Sequence, residues 1–254
     1  MPAAAFGTPS TLLLTASCWK INSCSTLVAF DEGGVGHSNP LGTPSMASRR
    51  GSIETSVAKS WKRIEKWFLS HDPDDVPTLS DPPHLAPGAS EEQVAEAEEV
   101  LGVIFPKDLR ASYLLHDGSY GVWILERGIL LSLEKIADDW SMYRDFCDLN
   151  SDSYLPGWSD LSPSDRERAL LGVKKVSWNT KWIPVAENGG GDHICIDADP
   201  DESGVIGQVF FRSHEVGPTT VLASSFLDLL EAYADELEQG KLFFDEWGDM
   251  QRRD

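Results

Sequence analysis

The residues whose types and spacing could do chemistry are gathered in one stretch, Val176 to Val209. Glu187-Asn188-Gly189-Gly190-Gly191-Asp192 has the glycine content of a phosphate loop. It lacks the Gly-Lys-Ser/Thr ending, and the residues after it are strand-like, so the helix dipole that would hold an anion is missing. The glycines read instead as a tight turn between two strands that calls for positive φ. Asp197, Asp199 and Asp201 alternate like the first ligands of a calcium loop. Glu202 then stands where the sixth-position glycine belongs, and Gln208 where the bidentate glutamate belongs. An acidic solvated turn, offering carboxylates to a partner's Lys or Arg, is the reading that remains.

His193 and Cys195 fall on one face of a strand, two residues apart. Neighbours on one strand face do not reach nucleophile-to-base geometry, and no third orienting group is indicated. Asp192 beside His193 is half of an acid/base pair whose second half the sequence does not supply. A metal-dependent hydrolase using Asp192, His193, Asp197 and Asp199 is the one enzymatic alternative; otherwise no catalytic residue, metal or cofactor is assigned. Trp178 and Trp182 lie four apart across the bend at Asn179-Thr180, one expected in the core and the other as an exposed interface anchor. The expected partner surface is therefore Trp178, Trp182, Asn188, Asp192, Asp197, Asp199, Asp201 and Glu202, with Gly189, Gly190 and Gly191 as its structural turn.

Charge points the same way. The chain carries a formal net charge of −20 over 254 residues. Residues 1–50 hold Lys20, Arg49 and Arg50 against Asp31 and Glu32, so the rest holds −21. Such a surface repels nucleic acid and acidic membranes and favours a basic protein partner. The four cysteines, Cys18, Cys24, Cys147 and Cys195, form no framework spacing, which suits a reducing compartment such as the cytoplasm. Leu12 to Cys18 resembles a lipoprotein cleavage site, but no Lys or Arg precedes Lys20 and the apolar run is short.

The elements that must position these residues follow from periodicity. Residues 1–50 are rich in Ser, Thr, Gly and Pro without periodicity and read as disordered or as sequence upstream of the true start, with Met46 as a natural alternative. A single domain is expected over 51–254. Val57, Trp61, Ile64 and Phe68 predict a helix from near Ser56 that ends before His71-Asp72-Pro73. Residues 72–90, rich in proline, form a loop. Ser90 with Gln93 matches a capping box for a helix that stops at Gly102, and Pro106 opens another helix that closes at His116-Asp117-Gly118.

Val122–Leu125 and Gly128–Leu131 read as paired strands, and Leu133, Ile136, Trp140, Tyr143 and Cys147 as one face of a helix from Ser132 to Cys147. Residues 148–171 form a long surface excursion. Strands are expected at 173–178, 181–186, 193–197, 208–212 and 220–223, then a helix bearing Phe226, Leu229, Leu230, Tyr233 and Leu237 up to Gly240. Short Gly-containing turns favour an antiparallel meander, giving an α+β domain with helices on one side of the sheet.

With these points fixed, the chain resembles the SUKH superfamily, founded by the fungal Smi/Knr cell-wall assembly regulators. The resemblance is carried by Glu96 to Gly102 with Phe105-Pro106-Lys107-Asp108-Leu109-Arg110, by His116-Asp117-Gly118, and by Leu130 to Glu134. It continues through Trp182-Ile183-Pro184-Val185-Ala186, Asn188 to Asp192, Ile196 to Pro200 and Gly207-Gln208-Val209, so it spans about residues 60–240. It implies a non-catalytic protein-binding domain. Bacterial members resemble immunity proteins that neutralise nuclease or deaminase toxins, and fungal members act as scaffolds in cell-wall signalling. Because few residues follow Trp247, the expectation leans to the compact immunity type docking a basic toxin, with the regulatory scaffold as the alternative.

Overall fold

The computed structural model describes residues 46–71, 85–120, 123–125, 128–149, 172–174, 176–215, 217–244 and 250–253. Helix α1 (Met46–His71) buries Val57, Trp61, Ile64 and Phe68, the stripe the spacing predicts, and starts ten residues before Ser56. Residues 72–84 of the proline-rich loop lie outside the described residues. Helix α2 (Glu91–Leu101) has the full capping box: Ser90 Oγ accepts the Gln93 N–H at 3.2 Å, and Gln93 Oε1 accepts the Ser90 N–H at 2.8 Å. Gly102 ends it in the left-handed conformation. Helix α3 (Lys107–Tyr113) follows Pro106, and both α3 and the last helix pack on α1. There Trp61 Nε1–H donates to Ser112 Oγ at 2.8 Å within the core.

Strands β1 (Trp123–Leu125) and β2 (Gly128–Leu130) open a six-stranded sheet. Helix α4 (Leu133–Leu149) then intervenes before β3 (Trp182–Glu187), β4 (His193–Asp197), β5 (Val209–Ser213) and β6 (Gly217–Ala223). Each strand pairs antiparallel with the next in sequence, the expected meander. The turn at His116-Asp117-Gly118 serves this layout: Asp117 Oδ1 accepts the Leu133 N–H at 2.7 Å, holding the start of α4. Helix α5 (Phe226–Glu238) follows the strands, capped by Ser225, and buries Phe226, Leu230, Tyr233 and Leu237. The fold is α+β, with five helices and one six-stranded sheet among the described residues.

Two departures have physical causes. The described residues of 173–178, which are 173–174 and 176–178, do not form the expected strand: the Val176 N–H bonds back to the Lys174 carbonyl at 2.9 Å, a local turn that takes these groups out of a ladder, and the Lys174 ammonium is held by Asp199. The chain also ends in a hairpin that the sequence reading did not include, β7 (Leu242–Phe244) with β8 (Met250–Arg252), whose Leu242 and Met250 are buried. Residues 150–171 of the expected surface excursion and the side chain of Cys147 lie outside the described residues. No described helix is long and apolar enough to cross a membrane.

Candidate functional site

The glycine turn closes the β3–β4 hairpin, in which Glu187 pairs with His193. Asn188 organises it: its Oδ1 accepts the N–H groups of Gly190 (2.8 Å) and Asp192 (3.2 Å), and its Nδ2 donates to Asp192 Oδ2 at 2.9 Å. Gly189 and Gly191 take the expected positive φ, 72° and 92°, while Gly190 does not. The Gly190 and Asp192 amides are thus spent on Asn188, not held open for an anion. Asp192 Oδ1 reaches across to the next connection, accepting the His214 N–H and Nδ1–H at 2.8 Å each. Burial works against ionisation of this carboxyl, but the His214 amide and ring and Asn188 outweigh it and hold its pKa below the usual range.

The acidic stretch divides into an inside and an outside. Asp197 is fully buried, its Oδ1 accepting the Asp199 N–H at 3.0 Å and its Oδ2 accepting from Gln208 Nε2 at 3.0 Å. Burial pushes its pKa up despite those bonds. It cannot offer a carboxylate to a partner, which corrects the expectation placed on it. Asp199 accepts from Asn179 Nδ2 (3.0 Å) and Lys174 Nζ (2.6 Å), and those two hold its pKa down. Asp201 and Glu202 are exposed beyond it. Next to them stand two exposed apolar residues, Val205 and Ile206, that sequence reasoning did not single out. They precede Gly207, which faces Pro106, two residues after the exposed Ile104.

Neither tryptophan is the expected exposed anchor. Trp182 is 0% and Trp178 6% exposed, because Trp182 lies on β3 with its ring against Phe210 and Trp178 closes over it edge-to-face at 6.0 Å. Cys195 is likewise no nucleophile: burial pushes its thiol up to about 12, leaving it protonated at neutral pH. The hydrolase alternative loses its ligand set as well, since Asp192, Asp197 and Asp199 each satisfy different local partners instead of facing His193.

His193 belongs to another cluster. Its cross-strand neighbours are Glu187 on β3 and Arg212 on β5, so the three make a row across the sheet. Helix α4 brings Asp139 and Tyr143 to this row: the Tyr143 ring meets His193 edge-on at 5.3 Å and stacks on Trp178 at 4.6 Å. Arg212 lies with its guanidinium carbon 4.4 Å from the Tyr143 ring centroid and donates Nε–H to the Ser177 carbonyl at 3.1 Å. His193 Nε2 lies 3.5 Å from Asp139 Oδ2, and Lys135 Nζ lies 2.7 Å from Asp139 Oδ1 and 4.0 Å from Glu187 Oε2. Burial opposes ionisation of Asp139, but His193 and Lys135 overcome it and its pKa falls. Asp139, Glu187 and His193 are the metal-competent group among the described residues. The signal for Asp139 was present in the sequence: it is three residues after Ile136 and four before Tyr143, hence on the buried face of α4.

The sequence has known relatives. A family described as SMI1 / KNR4 family (SUKH-1) matches residues 88–232. The cell wall biosynthesis/cell cycle regulator smi1 of Schizosaccharomyces pombe is 28% identical over 201 residues, covering 77% of this chain and 39% of that protein. The cell wall assembly regulator SMI1 of Saccharomyces cerevisiae is 26% identical, covering 78% and 43%. The glucan synthesis regulatory protein of Neurospora crassa is 24% identical, covering 77% and 41%. The chain thus spans less than half the length of these relatives. The match from α2 through most of α5, which takes in the whole six-stranded sheet, establishes that this chain belongs to the SMI1/KNR4 family (SUKH-1).

Proposed function

We propose that this chain is a non-catalytic regulatory module that works by binding another protein, in the manner of the cell-wall and glucan-synthesis regulators it resembles. The observation that carries this reading is the family match over residues 88–232, which includes the acidic edge, together with relatives named as regulators. They favour the scaffold alternative over the immunity reading. The chemistry of the edge supports a binding role: Asp201 and Glu202 present carboxylates beside exposed Val205 and Ile206, on a chain of net charge −20. A basic segment carrying an apolar side chain is the complementary partner, steered in by charge and held by the apolar contact.

The test is a graft. In Saccharomyces cerevisiae lacking its cell wall assembly regulator SMI1, residues 46–254 of this chain replace the matched region of that protein. Restored wall glucan content and resistance to osmotic lysis are the expected result. A graft that accumulates as folded protein yet restores neither would overturn the proposal.

A further inference from the structure

The geometry points to a binding site for one divalent first-row transition ion of the Zn²⁺ class, held by Asp139, Glu187 and His193, whose ligand atoms all lie within 4.8 Å of one another. His193 and Asp139 are 2% and 5% exposed, and the two atoms that face each other, Nε2 and Oδ2, have no hydrogen-bond partner. Their 3.5 Å separation exceeds the roughly 2.7–2.9 Å of a charge-assisted hydrogen bond. It is close to the edge, about 3.3 Å, between two ligands of a tetrahedral ion bound at about 2.0–2.1 Å.

The surroundings prepare both atoms for this role. His193 Nδ1 lies 3.1 Å from the Gly191 carbonyl oxygen, which can only accept, so Nδ1 carries a hydrogen and Nε2 is the nitrogen left to bind an ion. Lys135 Nζ holds Asp139 by Oδ1 and leaves Oδ2 turned to the histidine. A ring nitrogen and a carboxylate oxygen that face each other in a dry interior call for a cation between them, a metal ion or a proton. Glu187, the cross-strand partner of His193 and 24% exposed, closes the third side by a side-chain rotation. One imidazole and two carboxylates suit Zn²⁺, Mn²⁺ or Fe²⁺ better than Ca²⁺, which takes oxygen ligands only. The ion would clip α4 to the β3–β4 hairpin, with water in the remaining position towards the half-exposed Lys135. A proton shared between His193 and Asp139 is the competing occupant, and the experiment separates the two. The inference is independent of the regulatory reading.

The full chain, stripped with a chelator, is loaded with ZnCl₂, desalted and assayed for metal per chain, with near-UV circular dichroism to confirm folding. One zinc per chain is expected. Glu187→Gln, the variant least exposed to folding failure, and Asp139→Asn should each weaken binding by more than about tenfold, a loss seen even for outer-shell changes. His214→Ala, which removes an exposed histidine outside the cluster, should retain binding. Nitrogen NMR of His193 should show zinc displacing the Nε2 resonance with Nδ1 still protonated. Wild-type chain that retains no zinc, undiminished binding in both carboxylate variants, or a proton still on Nε2 in the presence of zinc would each sink the proposal.

Discussion

Asp197 and Gln208 hydrogen-bond to each other inside the protein, Gln208 Nε2 donating to Asp197 Oδ2 at 3.0 Å. They are the first and twelfth positions of the apparent calcium loop, the two that should both face an ion. Gln208 also donates to the Gly172 carbonyl at 2.8 Å and accepts from the Val205 N–H, so the pair ties the acidic loop shut. Burial raises the Asp197 pKa, so the folded state resists ionising this group. The stability sign follows: the favourable contribution is complete below the unfolded value, about 3.9, and is lost as pH rises through the raised folded value. Asp197→Asn removes that pH-dependent penalty but turns an amide towards Gln208 Nε2. Urea unfolding should show the variant less stable than wild type by about 1–3 kcal/mol near pH 4, with the deficit shrinking as pH approaches 7. A deficit that grows with pH would contradict the assignment.

Trp182 and Trp178 both belong to the core. Trp182 is completely buried between Trp178 and Phe210. Trp182→Ala should cost about 3–5 kcal/mol in chemical denaturation, from lost burial and the cavity left behind. Trp182→Phe should recover a large part of this, since the ring contacts carry the effect. A Trp182→Ala protein of unchanged stability would mean that the ring is not packed as described.

Asp108 joins two helices that are far apart in sequence. Its Oδ2 accepts the Leu227 N–H at 2.9 Å in the first turn of α5, and its Oδ1 accepts the Leu109 N–H at 3.0 Å. The carboxylate sits at the positive end of α5, where a negative charge is favoured. Asp108→Ala leaves a buried amide unsatisfied and should destabilise the protein by about 1–3 kcal/mol. Hydrogen exchange should show the loss concentrated at the start of α5, faster at Leu227 than at Leu237. Uniform acceleration along the helix would argue against a capping role.

These residues mark what the sequence could and could not disclose. Periodicity carries the helices, because a stripe such as Val57, Trp61, Ile64 and Phe68 is a property of neighbours in the chain. Capping was equally legible at Ser90 and Gln93, whose partners are three residues apart. The contacts of Asp108 with Leu227, Asp197 with Gln208 and His193 with Asp139 were not, because each needs the fold to bring distant segments together. The tryptophans misled for the same reason: spacing places Trp178 beside Trp182, but only the stacking of Tyr143 and the guanidinium of Arg212 decides that both are covered. Residues 173–178 have strand-like composition, yet the Val176 N–H bonds back to the Lys174 carbonyl and Lys174 reaches Asp199, a contact with a segment 25 residues away that spacing does not disclose.

The acidic loop between β4 and β5 is where the proposed binding role can be tested most directly. Asp199 is already engaged by Lys174 and Asn179, and Asp197 is internal, so the carboxylates left for a partner are those of Asp201 and Glu202. Both are exposed, and charge reversal there should alter folding stability by no more than about 0.5 kcal/mol. Its effect on a basic partner is another matter, because like charges at an encounter surface slow association and the loss is greatest at low ionic strength. Asp201→Lys with Glu202→Lys, placed in the yeast graft, should therefore abolish restoration of wall glucan content while the protein accumulates normally. Replacing Glu65 by Lys on α1, away from the edge, makes a poor control because Glu65 holds His116 at 2.7 Å. Glu96→Lys with Glu99→Lys, on the exposed face of α2, changes the net charge by the same amount without touching Asp201 and Glu202 and should leave restoration intact. If both charge changes behave alike, net charge rather than this edge governs recognition, and the placement of the partner surface at Asp201 and Glu202 is wrong.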